Sequence, residues 1–230
     1  MWIRLIKASQ IVYHGSPYKF DNFDLSKIGT NAGTELGWGI YLTKDDSFAK
    51  GYSDDKITYN NNKIPDSPQM KTLLQQVIEH NKNPNFKKQL EKDYYFKKTI
   101  PNYKEWLNNL DFNSIKTESG HVYKVQIPDD EYFIQYFSSF EQQSDFVKNK
   151  LTKIQKQYGF DPRYITNIQG KKIMITNNPK GENYYYSLTK TAGSPKEASK
   201  ILKKYGIVGN MDGDEICVWD TSKIKILEVK

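Results

Sequence analysis

The chain is poor in the residues that build metal sites and disulfides. A single cysteine, Cys217, has no internal partner and excludes a multi-cysteine metal site. Histidine is also scarce, at three residues, and His14, His80 and His121 share no metal-ligand spacing, which sets zinc aside. Arginine is nearly missing: Arg4 and Arg163 stand against 32 lysines. Lysine is a hydrated point charge and a poor bidentate reader of base edges, so sequence-specific DNA readout is disfavoured, while loose attraction to phosphates is not. No apolar run reaches the roughly 18 residues of a membrane span. The opening Met1-Trp-Ile-Arg-Leu-Ile-Lys7 meets charge too early for a secretory core. The expectation is a cytoplasmic protein with no signal peptide, no membrane partner and no metal. No repeat or low-complexity tract shows.

What is present is enough for a packed core. The 230 residues suit one large domain or two small ones, and an aromatic share of 14% argues against disorder. The net charge of +7 is uneven: −1 over residues 1–55, +4 over 56–118, 0 over 119–160 and +4 over 161–230.

Ile11-Val-Tyr13 reads as a strand ending in a turn at His14-Gly-Ser-Pro17, and Trp38-Gly-Ile-Tyr-Leu-Thr43 as a second strand. Asp45 or Asp46 is placed to cap a short helix before Tyr52. Residues 53–70 read as loop. Met70, Leu73, Leu74, Val77 and Ile78 mark one helical face, and helix-prone Lys-rich sequence continues over 84–111, broken at Pro101. His121–Ile127 alternates as a strand stopped by Pro128, and residues 140–158 suit a helix. A short strand is expected at Lys172–Thr176 and a helix over 182–190. Ser194, Pro195 and Glu197 form the start of another helix, with a capping box, which ends near Gly206. Met211-Asp-Gly-Asp214 reads as a turn, and Glu215–Asp220 and Ile224–Val229 as strands. Strands gathered at the start, middle and end, with helices between, indicate an α+β fold.

Three segments carry chemistry. His14-Gly15-Ser16 sets an imidazole beside a bare backbone amide. Gly37-Trp-Gly-Ile-Tyr41 precedes Tyr52 by a spacing that lets two rings sandwich a flat ligand, with core packing as the alternative. Glu215 opens an otherwise apolar strand, where a carboxylate either faces a cleft and answers developing positive charge or is simply solvated.

In this order the segments resemble the diphtheria-toxin and poly(ADP-ribose) polymerase type of ADP-ribosyltransferase. That pattern runs His-Gly-Ser/Thr, Gly-x-Gly-Ile-Tyr with a second Tyr eleven residues on, then a strand opening with Glu. The chain looks closer still to the transferase domains of phage and mobile-element polyvalent proteins, through Tyr13-His-Gly-Ser-Pro with Phe20 and Phe23, Tyr123-Lys-Val-Gln-Ile-Pro-Asp-Asp130, and Gly193–Ser199 with Gly206-Ile207. The resemblance touches residues 11–52, 121–150 and 182–227. It implies a single domain over 1–230, a split antiparallel β core of two sheets flanking an NAD cleft, and a Lys-rich, mainly helical insertion at about 53–118. It implies NAD as co-substrate. His14 would bond a ribose hydroxyl, the Gly15 backbone would clamp the nicotinamide carboxamide with Ser16 beside it, and Tyr41 and Tyr52 would bracket the nicotinamide. Glu215 would hold the ribose 2′-hydroxyl and stabilise an oxocarbenium-like transition state, as carboxylates do in glycoside hydrolysis.

Two positions depart from the pattern. Ala49 stands where polymerase-type members carry Ser, with Ser47 two residues earlier, and Gly213 stands where arginine-directed members carry Glu or Gln. The expected activity is mono-ADP-ribosylation of a macromolecule by a phage or bacterial toxin or effector, acting as a monomer, with protein slightly ahead of RNA or DNA as acceptor. An NAD glycohydrolase and a non-catalytic binding module on the same fold are the alternatives.

Overall fold

The computed structural model describes residues 9–28, 35–53, 56–59, 62–63, 68–80, 83, 85–109, 111, 114–166, 169 and 171–230. The Met1–Lys7 segment read above lies outside the described residues, as do Asp54 and Asp55 of the stretch expected as loop. Along the chain run β1 (Ser9–Ser16), β2 (Ile40–Thr43), α1 (Asp46–Gly51), β3 (Lys56–Tyr59), β4 (Asn62–Lys63), α2 (Pro68–His80), α3 (Phe86–Lys92), α4 (Tyr94–Thr99), α5 (Tyr103–Asn108) and β5 (Ile115–Glu118). Then come β6 (His121–Pro128), β7 (Phe133–Gln135), α6 (Asp145–Tyr158), β8 (Tyr164–Thr166), β9 (Lys172–Met174), α7 (Gly181–Ala192), α8 (Pro195–Lys204), β10 (Gly209–Asp212), β11 (Glu215–Val218) and β12 (Lys225–Val229). The fold is α+β. The chain divides into two compact units, residues 1–52 with 121–230 and residues 53–120.

The larger unit is built on one sheet in the order β12-β6-β1-β2-β11-β10-β7. Two corrections follow. The seven strands on either side of the expected cleft form one hydrogen-bonded sheet rather than two, with β8 and β9 pairing apart from it, and that sheet is mixed, because β7 runs parallel to β10. A parallel pair needs a long crossover, and α6, α7 and α8 supply it. The sheet is nearly divided all the same. β1 pairs with β6 over eight residues but with β2 only at Tyr13–Thr43. On either side of this seam the strands contribute to a shared core: Val12, Tyr123, Val125 and Ile127 from one half, Leu42, Ile216, Val218, Met211 and Phe133 from the other. Among the described residues no α-helix contributes a side chain to that cluster; Phe20 and Phe23 of the turn after β1 help to close it.

The opposite face of the β7 end packs against helices. Ile134 meets Val147, Leu151 and Ile154 of α6, Tyr184, Tyr185 and Leu188 of α7, and Ala198 and Leu202 of α8. Local signals set the helix limits. The Ser144 hydroxyl accepts from Val147 N–H and Gly159 closes α6 at φ +69°, so residues 140–143 stay outside it. The Ser194 hydroxyl accepts from Glu197 N–H, with Pro195 in the first turn of α8. The Glu197 carboxylate turns to Lys200 at 2.7 Å rather than back to the cap, so only half of the expected capping box forms.

The smaller unit has its own core of Leu73, Leu74, Val77, Phe86, Leu90, Phe96, Ile100, Tyr103 and Leu107. Its helical sequence is cut at Asp93, which ends α3 and caps α4, and at Pro101-Asn102, where Asn102 adopts φ +53°. Residues 53–70 are not wholly loop: β3 and β4 lie within them and pair with each other, and β3 pairs on its other edge with β5 to complete a three-stranded sheet. Lys-Ile-Thr-Tyr alternates in the manner of a strand, but is too short to stand out.

Candidate active site

The seam between β1 and β2 brings together His14, Gly15 and Tyr41 of the sequence-predicted residues. His14-Gly15-Ser16 lies on β1 itself, paired to Tyr123, Val122 and His121 of β6, and not in a turn beyond the strand. Past Tyr13 the other edge of β1 has no strand partner among the described residues. The His14 ring fills the gap: Nδ1 lies 2.8 Å from the Tyr41 carbonyl oxygen. A carbonyl only accepts, so Nδ1 carries the proton, and in the neutral ring Nε2 is left as an acceptor. Phe23, Phe20 and Tyr123 surround the imidazole at centroid distances of 5.2, 6.0 and 6.2 Å.

Burial lowers the His14 pKa, against a smaller opposing effect of the bond to Tyr41. A histidine of depressed pKa binds fewer protons folded than unfolded. Its contribution to stability is complete above the unfolded value of about 6.5 and is lost as pH falls through it. His14→Gln is expected to flatten the loss of stability between pH 8 and pH 5, read as urea midpoints. A variant as acid-sensitive as the parent would remove His14 from that role.

Tyr41 is held by its own loop. Its hydroxyl donates to the Gly37 carbonyl and accepts from Leu36 N–H, both at 3.0 Å. Burial, reinforced by Cys217, raises its pKa and keeps the phenol protonated. The rest of the Leu36-Gly37-Trp38 backbone is bound from distant elements. Asn210 Nδ2 donates to Leu36 O at 2.7 Å and Cys217 Sγ to Gly37 O at 3.6 Å. Trp38 N–H donates to the Tyr185 hydroxyl at 3.0 Å, and the Ser199 hydroxyl donates to Trp38 O at 3.1 Å. These four side chains were not among the predicted site residues. The available signal was Asn210 beside Met211 in β10 and Cys217 between Ile216 and Val218 in β11; Tyr185 and Ser199, on α7 and α8, carried none.

Glu215 sits one strand further. β10 and β11 form a hairpin whose two-residue turn has Gly213 at φ +56° in its first central position, as a type II′ turn requires. Glu215 follows directly, in register with Asp212 on one side and Thr43 on the other, and Thr43 is in turn the residue paired with Tyr13. At a strand spacing of about 4.8 Å, Glu215 lies roughly 10 Å from Tyr13 at the seam. Lys44 N–H donates to Asp214 O at 3.0 Å and ties the turn to the end of β2. Tyr41, in register with Cys217, shares the Glu215 face; His14, by strand alternation, starts from the other. The Glu215 side chain is exposed and makes no hydrogen bond or ion pair among the described residues.

The other predicted residues differ in their fit. Gly15 lies on the open edge of β1, where its backbone meets the gap. The buried Ser16 hydroxyl accepts from Tyr18 N–H at 3.1 Å and so serves the turn. Tyr52 ends α1, 62% exposed, its ring against Phe48 at 5.3 Å rather than Tyr41. Ala49 is buried, and the Ser47 hydroxyl is taken by Asp45, the α1 cap, at 2.6 Å, so Ser47 does not replace the missing serine. Among the described residues no cluster of His, Cys, Asp and Glu could hold a metal ion, and no helix is long and apolar enough to cross a membrane. No protein-family model, curated protein or solved structure matches the chain.

Proposed function

We propose that the chain is an NAD-dependent mono-ADP-ribosyltransferase that moves ADP-ribose to a macromolecular acceptor. The observation that carries this reading is an unpartnered carboxylate, Glu215, fixed by a tight hairpin beside the seam where the His14 ring bonds the Tyr41 backbone. The open edge of β1 offers the Gly15 backbone to the nicotinamide carboxamide, and His14 Nε2 accepts from a ribose hydroxyl. Tyr41 supplies one wall for the nicotinamide, held in place by the 36–38 loop, and Tyr52 supplies the other.

The chemistry needs little acid–base help, because nicotinamide is already cationic in NAD. The bond from the anomeric carbon to the pyridine nitrogen breaks, and nicotinamide leaves with the electron pair. Positive charge develops on the ribose, where Glu215 accepts from the 2′-hydroxyl and stabilises it. The acceptor nucleophile bonds to the anomeric carbon and releases its proton.

The test is transfer of label from NAD to a cell lysate, followed by protease or nuclease digestion of the product. Macromolecular label supports the proposal, and its sensitivity names the acceptor. Free ADP-ribose formed as fast without lysate identifies a glycohydrolase, and a chain that NAD does not stabilise against heat is a binding module instead. Tyr52→Ala is expected to weaken NAD binding about tenfold, the loss of one stacked ring, with an unchanged melting temperature because the ring is exposed. Calorimetric titration with NAD checks it; equal affinity would leave the nicotinamide one wall.

A further inference from the structure

The 53–120 unit leaves two large rings in water. Tyr94 is 76% exposed and Tyr95 55%, both in the first turn of α4. The helix has no freedom to turn them inward. Phe96 and Ile100 are buried on its other side, and Phe96 stacks on Tyr103 at 6.3 Å. The Asp93 carboxylate caps the helix through Phe96 N–H at 2.9 Å, and the Tyr103 hydroxyl donates to Leu90 O at 2.9 Å. Helical spacing sets Lys97 and Lys98 beside Tyr94, and Lys98 beside Tyr95. Lys97 also borders a hollow of about 420 Å³ with Ile100, Asn102, Tyr103, Lys104 and Glu105.

We infer that this face of α4 binds single-stranded nucleic acid, with bases stacked on Tyr94 and Tyr95 and phosphates against Lys97 and Lys98. The inference does not depend on the transferase reading. The two residue types choose the partner together. An acidic peptide would answer the lysines and leave both rings without a role. An apolar protein surface would cover the rings but strip water from two ammonium groups that lack partners there. A single strand uses both, since every base has a π-face and every link a charge. The surrounding 56–118 segment carries a net +4, the sign this partner needs. Scarcity of arginine is no obstacle: stacking with lysine contacts is indifferent to sequence and needs no bidentate reading of base edges.

Anisotropy of dye-labelled oligo(dT) and oligo(rU), each of twelve nucleotides, with the full chain provides the test. Binding is expected for at least one strand. Alanine at either tyrosine should weaken it about tenfold, whereas Tyr94→Phe and Tyr95→Phe should keep it, because the ring and not the hydroxyl stacks. Lys97→Gln with Lys98→Gln should lower the slope of log affinity against log salt by about 0.7 per lysine. All of these side chains are exposed and the variants should melt as the parent does. The inference fails if neither strand binds at low salt, or if the double tyrosine-to-alanine variant binds as the parent does. It also fails if a duplex of equal length binds as tightly, or if polyglutamate displaces the strand as well as unlabelled oligo(dT). A difference between oligo(dT) and oligo(rU) assigns the natural strand to DNA or RNA.

Discussion

Glu215→Gln is expected to lower ADP-ribose transfer from NAD by about 10²–10³-fold, the scale for removing one preorganised electrostatic contact to a developing charge. The substitution should leave the fold unmoved. Glu215 is exposed, has no hydrogen bond or ion pair among the described residues, and owes its position to the hairpin backbone rather than to its side chain. Glutamine keeps an oxygen for the ribose 2′-hydroxyl but loses the charge. NAD in the ground state should therefore bind nearly as before, with the loss falling on kcat rather than KM. Two measurements on the same preparation decide the matter: labelled transfer, and the thermal shift given by NAD. Lost transfer with a retained shift assigns Glu215 to the transition state. Transfer at the parental rate would leave the mechanism without its carboxylate, and a fall in melting temperature would make Glu215 a structural residue.

The parts of the fold that announce themselves are those with local causes. The α8 helix begins where Ser194 and Pro195 demand, and β6 alternates visibly from Tyr123 to Ile127, because its inner face is buried and its outer one, Val122 included, is not. Glu215 was legible for the same reason, as a carboxylate opening an apolar strand. His14-Gly15-Ser16 looks like a turn by composition and becomes strand because β6 pairs with it residue for residue, a tertiary demand that overrides local preference. The parallel pairing of β7 with β10 has no local signature at all. Nor do the anchors of the 36–38 loop: Tyr185, Ser199 and Asn210 lie 147, 161 and 174 residues from the atoms they hold. The polarity of Asn210 beside Met211 marks it as unusual without naming a partner.

That loop carries the second large effect. Gly37→Ala is expected to destabilise the larger unit by roughly 3 kcal/mol, from two separate causes. Gly37 has φ +103°, a conformation that strains any residue with a Cβ by about 1–3 kcal/mol. A Cβ there would also meet the Tyr185 ring, 2.5 Å from both Cζ and the hydroxyl oxygen. The ring cannot retreat: it is buried, stacked on Trp219 at 5.8 Å and bonded to Ser199 at 2.9 Å. Overpacking of such a site adds about 1–3 kcal/mol. Two other glycines separate the causes. Gly159 has φ +69° with nothing within 4 Å of a built Cβ, so Gly159→Ala shows the backbone strain alone. Gly39 has no unusual φ, but its Cβ would lie 2.6 Å from Cys217 Sγ and 2.8 Å from Val218 O, so Gly39→Ala shows the contact alone. Urea midpoints for the three variants should fall in the order Gly159→Ala highest, Gly39→Ala next or close to it, and Gly37→Ala lowest. The site should feel the change too, since a displaced loop withdraws Leu36 N–H and Gly37 O from the Tyr41 hydroxyl. NAD affinity should then drop for Gly37→Ala while Gly159→Ala, placed after α6, keeps it. Equal midpoints for Gly37→Ala and Gly159→Ala would mean that Tyr185 does not press on the loop, and Tyr41 would lose the support argued for it.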